Sequence, residues 1–150
     1  MPIKRSEYLK PLSRDHHQGL LLCWKIRTGL KKGIDLQRVK AYTDWFFKTS
    51  LLPHFREEEQ FFFPLLGNEH ELIKKALSEH KRLTRLFECK TDLEKTLSHI
   101  EEELESHIRF EERILFNEIQ NTASEKEIQA IEKLHIEHTN DETWVDEFWT

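Results

Sequence analysis

Glycine and proline are scarce in this chain, four of each among 150 residues. So few turn formers argue against a turn-rich β protein, and with 34% of residues charged they favour helices with solvated outer faces. Cysteine is scarcer still. Cys23 and Cys89 stand alone, with no CxxC pair and no disulfide framework, and read as small apolar residues of a reducing compartment. No apolar run approaches the ~20 residues needed to span a bilayer. Met1-Pro2-Ile3-Lys4-Arg5 leads into no signal-like apolar stretch, so the expected address is the cytoplasm, with no membrane partner. The net charge of −5 is mild and both signs are spread along the chain; without a basic stripe, nucleic acid is not an expected partner. No Ser/Cys–His nucleophile arrangement and no phosphate-binding glycine loop occur, so these residues mark no dedicated hydrolytic or phosphoryl-transfer enzyme. The length suits one domain, residues 1–150, with a real core.

What the chain has in excess is histidine, nine residues. Histidine serves as metal ligand and as pH switch, and position separates the two. Four strongly patterned segments are predicted to be helices. The first opens after Ser13 and runs to Gly29. The second runs from about Asp35 to Phe63, kinked or loosened at Pro53 and ended by Pro64 and Gly67. The third covers about Asn68 to Phe87. Thr91-Asp92-Leu93-Glu94 has the form of a capping box for the fourth, which continues to about Gln120. A second box, Ser124-Glu125-Lys126-Glu127, opens a shorter helix through Leu134, and a tail from Thr139 carries Trp144, Phe148 and Trp149 back onto the body. Short connections between long helices imply antiparallel neighbours, hence an all-α, up-down-up-down four-helix bundle over about residues 10–120 with a C-terminal helix and tail.

The histidines fall on the inward stripes. In the fourth segment Leu93, Leu97, Ile100, Leu104, His107, Glu111 and Ile114 follow steps of four and three, the a/d seam that faces a bundle core. The second repeats this with Phe47, Leu51, His54, Glu58, Phe61 and Leu65, and the third with Ile73, Leu77, His80, Thr84 and Phe87. The first segment leaves a choice. His16 points nearly opposite the polar arc of Arg14, Gln18, Lys25 and Lys32, whereas His17 has the more apolar neighbours Leu20 and Leu21. A lone histidine on such a face is commonly a satisfied core residue. Four histidines and two glutamates from four helices, with no Lys or Arg in the seams, need a cation to offset the buried carboxylates. His70, His99, His135 and His138 fall outside this set and read as exposed or second-sphere histidines.

An internal repeat ties the set together. His54-Phe-Arg-Glu-Glu58-Glu59-Gln-Phe-Phe-Phe63 aligns with His107-Ile-Arg-Phe-Glu111-Glu112-Arg-Ile-Leu-Phe116, and Asp15-His16 with Glu79-His80. The chain thus reads as two helical hairpins, each supplying one H and one HxxxE, and the i, i+4 spacing puts His and Glu on one face. Two such triplets with bridging carboxylates suit two metal ions, and mixed imidazole and carboxylate donors suit iron. Glu59 and Glu112, 100° round from the ligands, read as solvated charges, with second-sphere support as the alternative. The order H, HxxxE, H, HxxxE over about residues 10–120 resembles the hemerythrin-like (HHE cation-binding) family. That resemblance implies a non-haem di-iron centre, oxo- or hydroxo-bridged, held by His54, Glu58, His80, His107, Glu111 and either His16 or His17. Oxygen-carrying hemerythrins have a further histidine where this chain has Ala76 and a later aspartate on the fourth helix, whereas the carboxylate here is Glu111, which counts against reversible oxygen transport.

The expected ligand is therefore a small diatomic or a peroxide (O2, NO or peroxide), with iron handling as a related role, in a monomer or homodimer. Phe47, Phe61, Phe62, Phe87 and Phe110 are candidates for an apolar pocket wall or for plain core packing. Two rivals stand beside this reading. A ferritin-like oxidase wants ExxH on two main helices, and only Glu132-Lys-Leu-His135 has that form. A zinc-bound or metal-free helical interaction module would keep the helices without iron.

Overall fold

In the computed structural model, residues 5–133 and 144–150 are described, and they are almost entirely helical, with no strand among them. A 3-10 turn (Glu7–Leu9) leads into α1 (Lys10–Lys31), which begins before Ser13 because Pro11 occupies the first turn, where a missing N–H is harmless. Asp35 caps the next segment by accepting from the Gln37 N–H at 2.8 Å. That segment, residues 36–65, is helical throughout but not uniform. It consists of α2 (Leu36–Phe46), a π-helical turn (Phe47–Leu51), α3 (Leu52–Glu57), a second π-helical turn (Glu58–Phe62) and a closing 3-10 turn (Phe63–Leu65). Pro53 lies in the first turn of α3, directly after the first π-helical turn, so its lost hydrogen bond falls where the ladder is already offset.

α4 (Glu71–Glu88) starts at His70, not Asn68: the His70 Nδ1 accepts from the Leu72 N–H at 3.1 Å and caps the helix. α5 (Leu93–Phe110), a π-helical turn (Glu111–Leu115) and α6 (Phe116–Thr122) form the fourth continuous segment. The Thr91–Glu94 capping box does not form. Asp92 adopts a left-handed conformation (φ 46°) with no side-chain cap bond, and the Thr91 carbonyl accepts from the Thr96 hydroxyl at 2.9 Å. The second box does form. Glu127 N–H donates to Ser124 Oγ (3.2 Å) and Ser124 N–H to Glu127 Oε1 (2.9 Å), opening α7 (Glu125–Lys133).

Two apolar clusters make up the core, with fully buried Leu22, Ile26, Leu97, Ile100 and Leu104 in one and Leu9, Leu12, Phe63, Ile73 and Phe116 in the other. Burial of each such side chain is worth roughly 1.5–3 kcal/mol. The four long segments meet the clusters in alternating order: α1 and α4 run from the second to the first, residues 36–65 and 93–122 from the first to the second. The predicted stripes hold through His54, Glu58, His107 and Glu111 and then slip. Phe62 and Phe63 are buried where Phe61 was expected, and Leu115 and Phe116 are buried while Ile114 is 52% exposed. Each π-helical turn inserts an extra residue and rotates the downstream residues by about one position. On α4 the inward face is Ile73, Ala76, His80, Leu83 and Phe87, with Leu77 and Thr84 only partly buried.

The C-terminal heptad docks as expected. Phe148 is buried, Trp144, Phe148 and Trp149 surround the Tyr42 ring at 5.6, 5.8 and 4.9 Å, and Lys25 sits over Trp149 at 3.9 Å. Gly29 makes this possible: a Cβ there would lie 2.8 Å from Phe148 and 2.9 Å from Val39.

Candidate metal centre

Between the two apolar clusters lies a layer of polar side chains. His16, His54, Glu58, His80, His107 and Glu111 are all buried, none more than 3% exposed. His17, the alternative on the first segment, is exposed, so the inward histidine of α1 is His16. His99 is on the surface near Glu103, and His135, the histidine of the ExxH sequence, and His138 lie outside the described residues. The Phe set packs as core rather than as one wall: Phe47 stacks on Phe87 at 4.6 Å in one cluster, and Phe62 and Phe110 belong to the other.

The convergence follows the repeat. Glu58 Oε1 lies 3.2 Å from His54 Nε2 and 3.3 Å from His80 Nε2, and Glu111 Oε1 lies 3.1 Å from His107 Nε2 and 3.0 Å from His16 Nε2. Adding 53 to the positions of the second segment and subtracting 64 from those of α4 turns one trio into the other. The rings pair likewise, His16 with His54 at 4.8 Å and His80 with His107 at 4.9 Å, and Phe116 stacks on His16 as Phe63 does on His80.

Behind every histidine stands a carboxylate from another helical segment. Glu112 Oε1 is 2.8 Å from Nδ1 of His16, Asp15 Oδ2 is 3.0 Å from that of His54, Glu59 Oε2 is 3.2 Å from that of His80 and Glu79 Oε1 is 2.7 Å from that of His107. Ionised carboxylates can only accept, so each Nδ1 carries a proton and donates outward, which leaves Nε2 as the inward nitrogen, bare whenever the ring is neutral. Glu59 and Glu112 are thus partners of the buried histidines rather than free surface charges. The doubled acid of both HxxxEE sequences, and the acid before His16 and His80, are the sequence signals that mark all four.

Electrostatics shows what the layer wants. Burial lowers the affinity of His107 for a proton, but the Glu111 carboxylate close to its ring and the hydrogen bond to Glu79 outweigh it and push its pKa up to about 10. Burial likewise opposes protonation of His54, and the charges and bonds of Glu58 and Asp15 overcome it, raising its pKa well above the ordinary value. Burial raises the pKa of Glu111, yet the His107 and His16 rings hold its carboxyl well below the usual range. The layer draws positive charge. Its hydrogen bonding is also incomplete: Nε2 of His54, His80 and His107, both oxygens of Glu58 and Oε2 of Glu111 are buried and have no hydrogen-bond partner. Their short N···O separations bring ring and carboxylate together without hydrogen-bond geometry. Unpartnered buried carboxylates cost several kcal/mol, and a cation bound among these atoms answers all of them at once.

Two overlapping groups have the reach to do this. His16, His54, Glu58 and Glu111, and then Glu58, His80, His107 and Glu111, each bring one donor atom within 4.8 Å of the others. The buried His/Glu groups can hold a metal ion, and the two carboxylates are common to both groups. The chain matches no family model, no curated protein and no solved structure. No helix among the described residues is long and apolar enough to cross a membrane.

Proposed function

We propose that this chain is a hemerythrin-like protein in which an antiparallel up-down-up-down four-helix bundle holds a pair of non-haem iron ions, and that it binds or responds to O2, NO or peroxide, or handles iron. The reading rests on one observation: two four-residue donor groups, wholly buried, that share Glu58 and Glu111. His16 and His54 would hold one ion, His80 and His107 the other, and the two carboxylates would lie between them. Three supports accompany it. The four segments meet the core clusters in alternating order, as an up-down-up-down bundle requires. The imidazole and carboxylate set suits iron better than thiolate-preferring metals. The four outer carboxylates fix the histidine tautomers and raise ring basicity, the usual companion of metal-ligating histidine.

Bound iron would supply Lewis acidity and one-electron redox chemistry. The chain supplies the rest: Asp15, Glu59, Glu79 and Glu112 orient the rings, and the apolar clusters above and below keep water from the layer. Ala76, in place of a further histidine, leaves the second group one imidazole poorer than in an oxygen carrier, and so leaves room there for an outside ligand.

The test is metal content and absorption of protein loaded anaerobically with ferrous iron, recorded before and after adding O2, NO or peroxide. Two irons per chain and a near-ultraviolet to visible band that responds to one of these are expected. His16→Ala is expected to lose iron, and His17→Ala to keep it. Less than one iron per chain, or a single bound zinc, refutes the assignment.

A further inference from the structure

The repeat predicts two equivalent flanks for the polar layer, one over His80 and one over His16. The structure makes them different. Over His80 lies an open cleft of about 520 Å3 lined by Leu52, Phe55, Glu59, His80, Lys81, Thr84 and Arg85. Its inner wall is Phe55, stacked on the His80 ring at 3.9 Å, and its floor includes the Glu59 carboxylate that holds His80 Nδ1. Lys81 and Arg85, one helical turn apart on α4, are both exposed.

On the other flank the matching positions are Glu105, Ile108, Glu112, His16, His17, Leu20 and Leu21, and here the helices close. Gly19 lets α1 come so near α5 that a Cβ at that position would meet Ile108 Cδ1 at 2.8 Å. The counterpart of Gly19 on α4 is Leu83, a fully buried side chain in place of a missing one. Arg5 then seals the His16 side. Its guanidinium donates to the Glu112 carbonyl (2.5 Å), pairs with the Glu112 carboxylate (3.2 Å) and lies over Phe116 at 5.4 Å. Among the described residues no Lys or Arg pairs with Glu59; its ion-pair partner is His80.

We propose that the cleft over His80 is the port through which a small anion reaches the His80–His107 half of the centre, with Lys81 and Arg85 as its positive lip. The inference rests on the metal-centre reading and adds to it which half of the centre is open to the outside, and that small anions can enter there alongside the uncharged ligands of that reading. A cationic lip concentrates anions and raises their association rate in a salt-dependent way, while Leu52 and Thr84 set the width of the opening.

The experiment uses the full chain loaded with Co(II), whose visible spectrum reports both metal uptake and ligand binding, and azide as a small linear anion. Leu52→Trp and Thr84→Trp plug the cleft from opposite walls; Leu21→Trp is the control on the sealed flank, at the position matching Arg85. Azide association is expected to slow about tenfold or more in either plug variant, with cobalt stoichiometry unchanged and Leu21→Trp like the parent. The double variant Lys81→Glu/Arg85→Glu is expected to slow azide by about tenfold and reverse the effect of added salt. Unchanged azide rates in both plug variants, or equal slowing by Leu21→Trp, overturn the port; an unaltered salt response in the charge-reversed variant overturns its preference for anions.

A metal-independent arm separates this from the centre itself. In metal-free chain, shown folded by circular dichroism, diethyl pyrocarbonate labelling mapped by mass spectrometry is expected to fall at His80 in Thr84→Trp while His16 is unaffected. Equal labelling of His80 in both proteins overturns the port even where metal binds. Absence of any cobalt or iron binding, with His80 protected as expected, overturns the metal reading and with it the port to a metal, and leaves standing only the cleft as the way in to His80.

Discussion

Removal of one outer carboxylate gives the sharpest measure of how the layer is built. Glu79 accepts from His107 Nδ1 at 2.7 Å and reaches Lys75 at 2.5 Å. Its side chain is 25% exposed, so its pairing with Lys75 contributes little and its hold on His107 is what a substitution tests. Glu79→Leu leaves the His107 ring free to turn and to present the wrong nitrogen. Loss of such a partner lowers metal affinity about ten- to a hundredfold, or about 1.4–2.8 kcal/mol. Glu79→Gln keeps an acceptor of the same reach without the charge and is expected to fall at the lower end of that range. Asp15→Leu, which releases His54, is expected to match Glu79→Leu because the repeat gives the two acids the same task. Since the donor groups of His54 and His107 share Glu58 and Glu111, the double variant is expected to depart from the sum of the single losses. The assay is anaerobic competition for Co(II) or Fe(II) against a chromophoric chelator, with thermal unfolding of the metal-free proteins alongside. Affinities within about twofold of the parent in both single Leu variants would refute the claim that these acids position the rings.

Three further outcomes rest on the packing. Phe87→Ala empties a fully buried site against Phe47 and is expected to destabilise by about 3–5 kcal/mol in urea unfolding. Burial pushes the Cys23 thiol up to about 12, so iodoacetamide at neutral pH is expected to alkylate Cys89 in the folded protein and Cys23 only after unfolding; equal labelling would contradict the burial of Cys23. Gly29→Ala gains about 1 kcal/mol of helix propensity but meets Phe148 and Val39, with an overpacking cost of about 1–3 kcal/mol. A red-shifted tryptophan emission, from a loosened Trp144 and Trp149, is its expected signature.

Much of this centre was legible in the sequence, because two of its properties are local. The four-and-three spacing set His54, His80, His107, Glu58 and Glu111 on inward faces, and the repeat paired them. The neighbouring histidines 16 and 17 differ by 100° on one helix, and only the packing of α1 against α5 separates a buried ring from an exposed one. The roles of Asp15, Glu59, Glu79 and Glu112 depend on contacts between segments, so periodicity along one segment assigned two of them to solvent. The stripes failed beyond Glu58 and Glu111 for another reason: a π-helical turn has no fixed signature in residue type, yet it shifts every later residue. Arg5 escaped because its partners are more than 100 positions away.

Glu58 and Glu111 each occupy the first position of a π-helical turn. The two side chains common to both donor groups therefore hang from stretches holding one residue more than a regular helix needs. Such a stretch breaks the regular hydrogen-bond ladder, and breaks of this kind frequently sit at functional sites. Each ring is oriented by an outer acid, whereas the two shared carboxylates take their place from the points where the helical register changes.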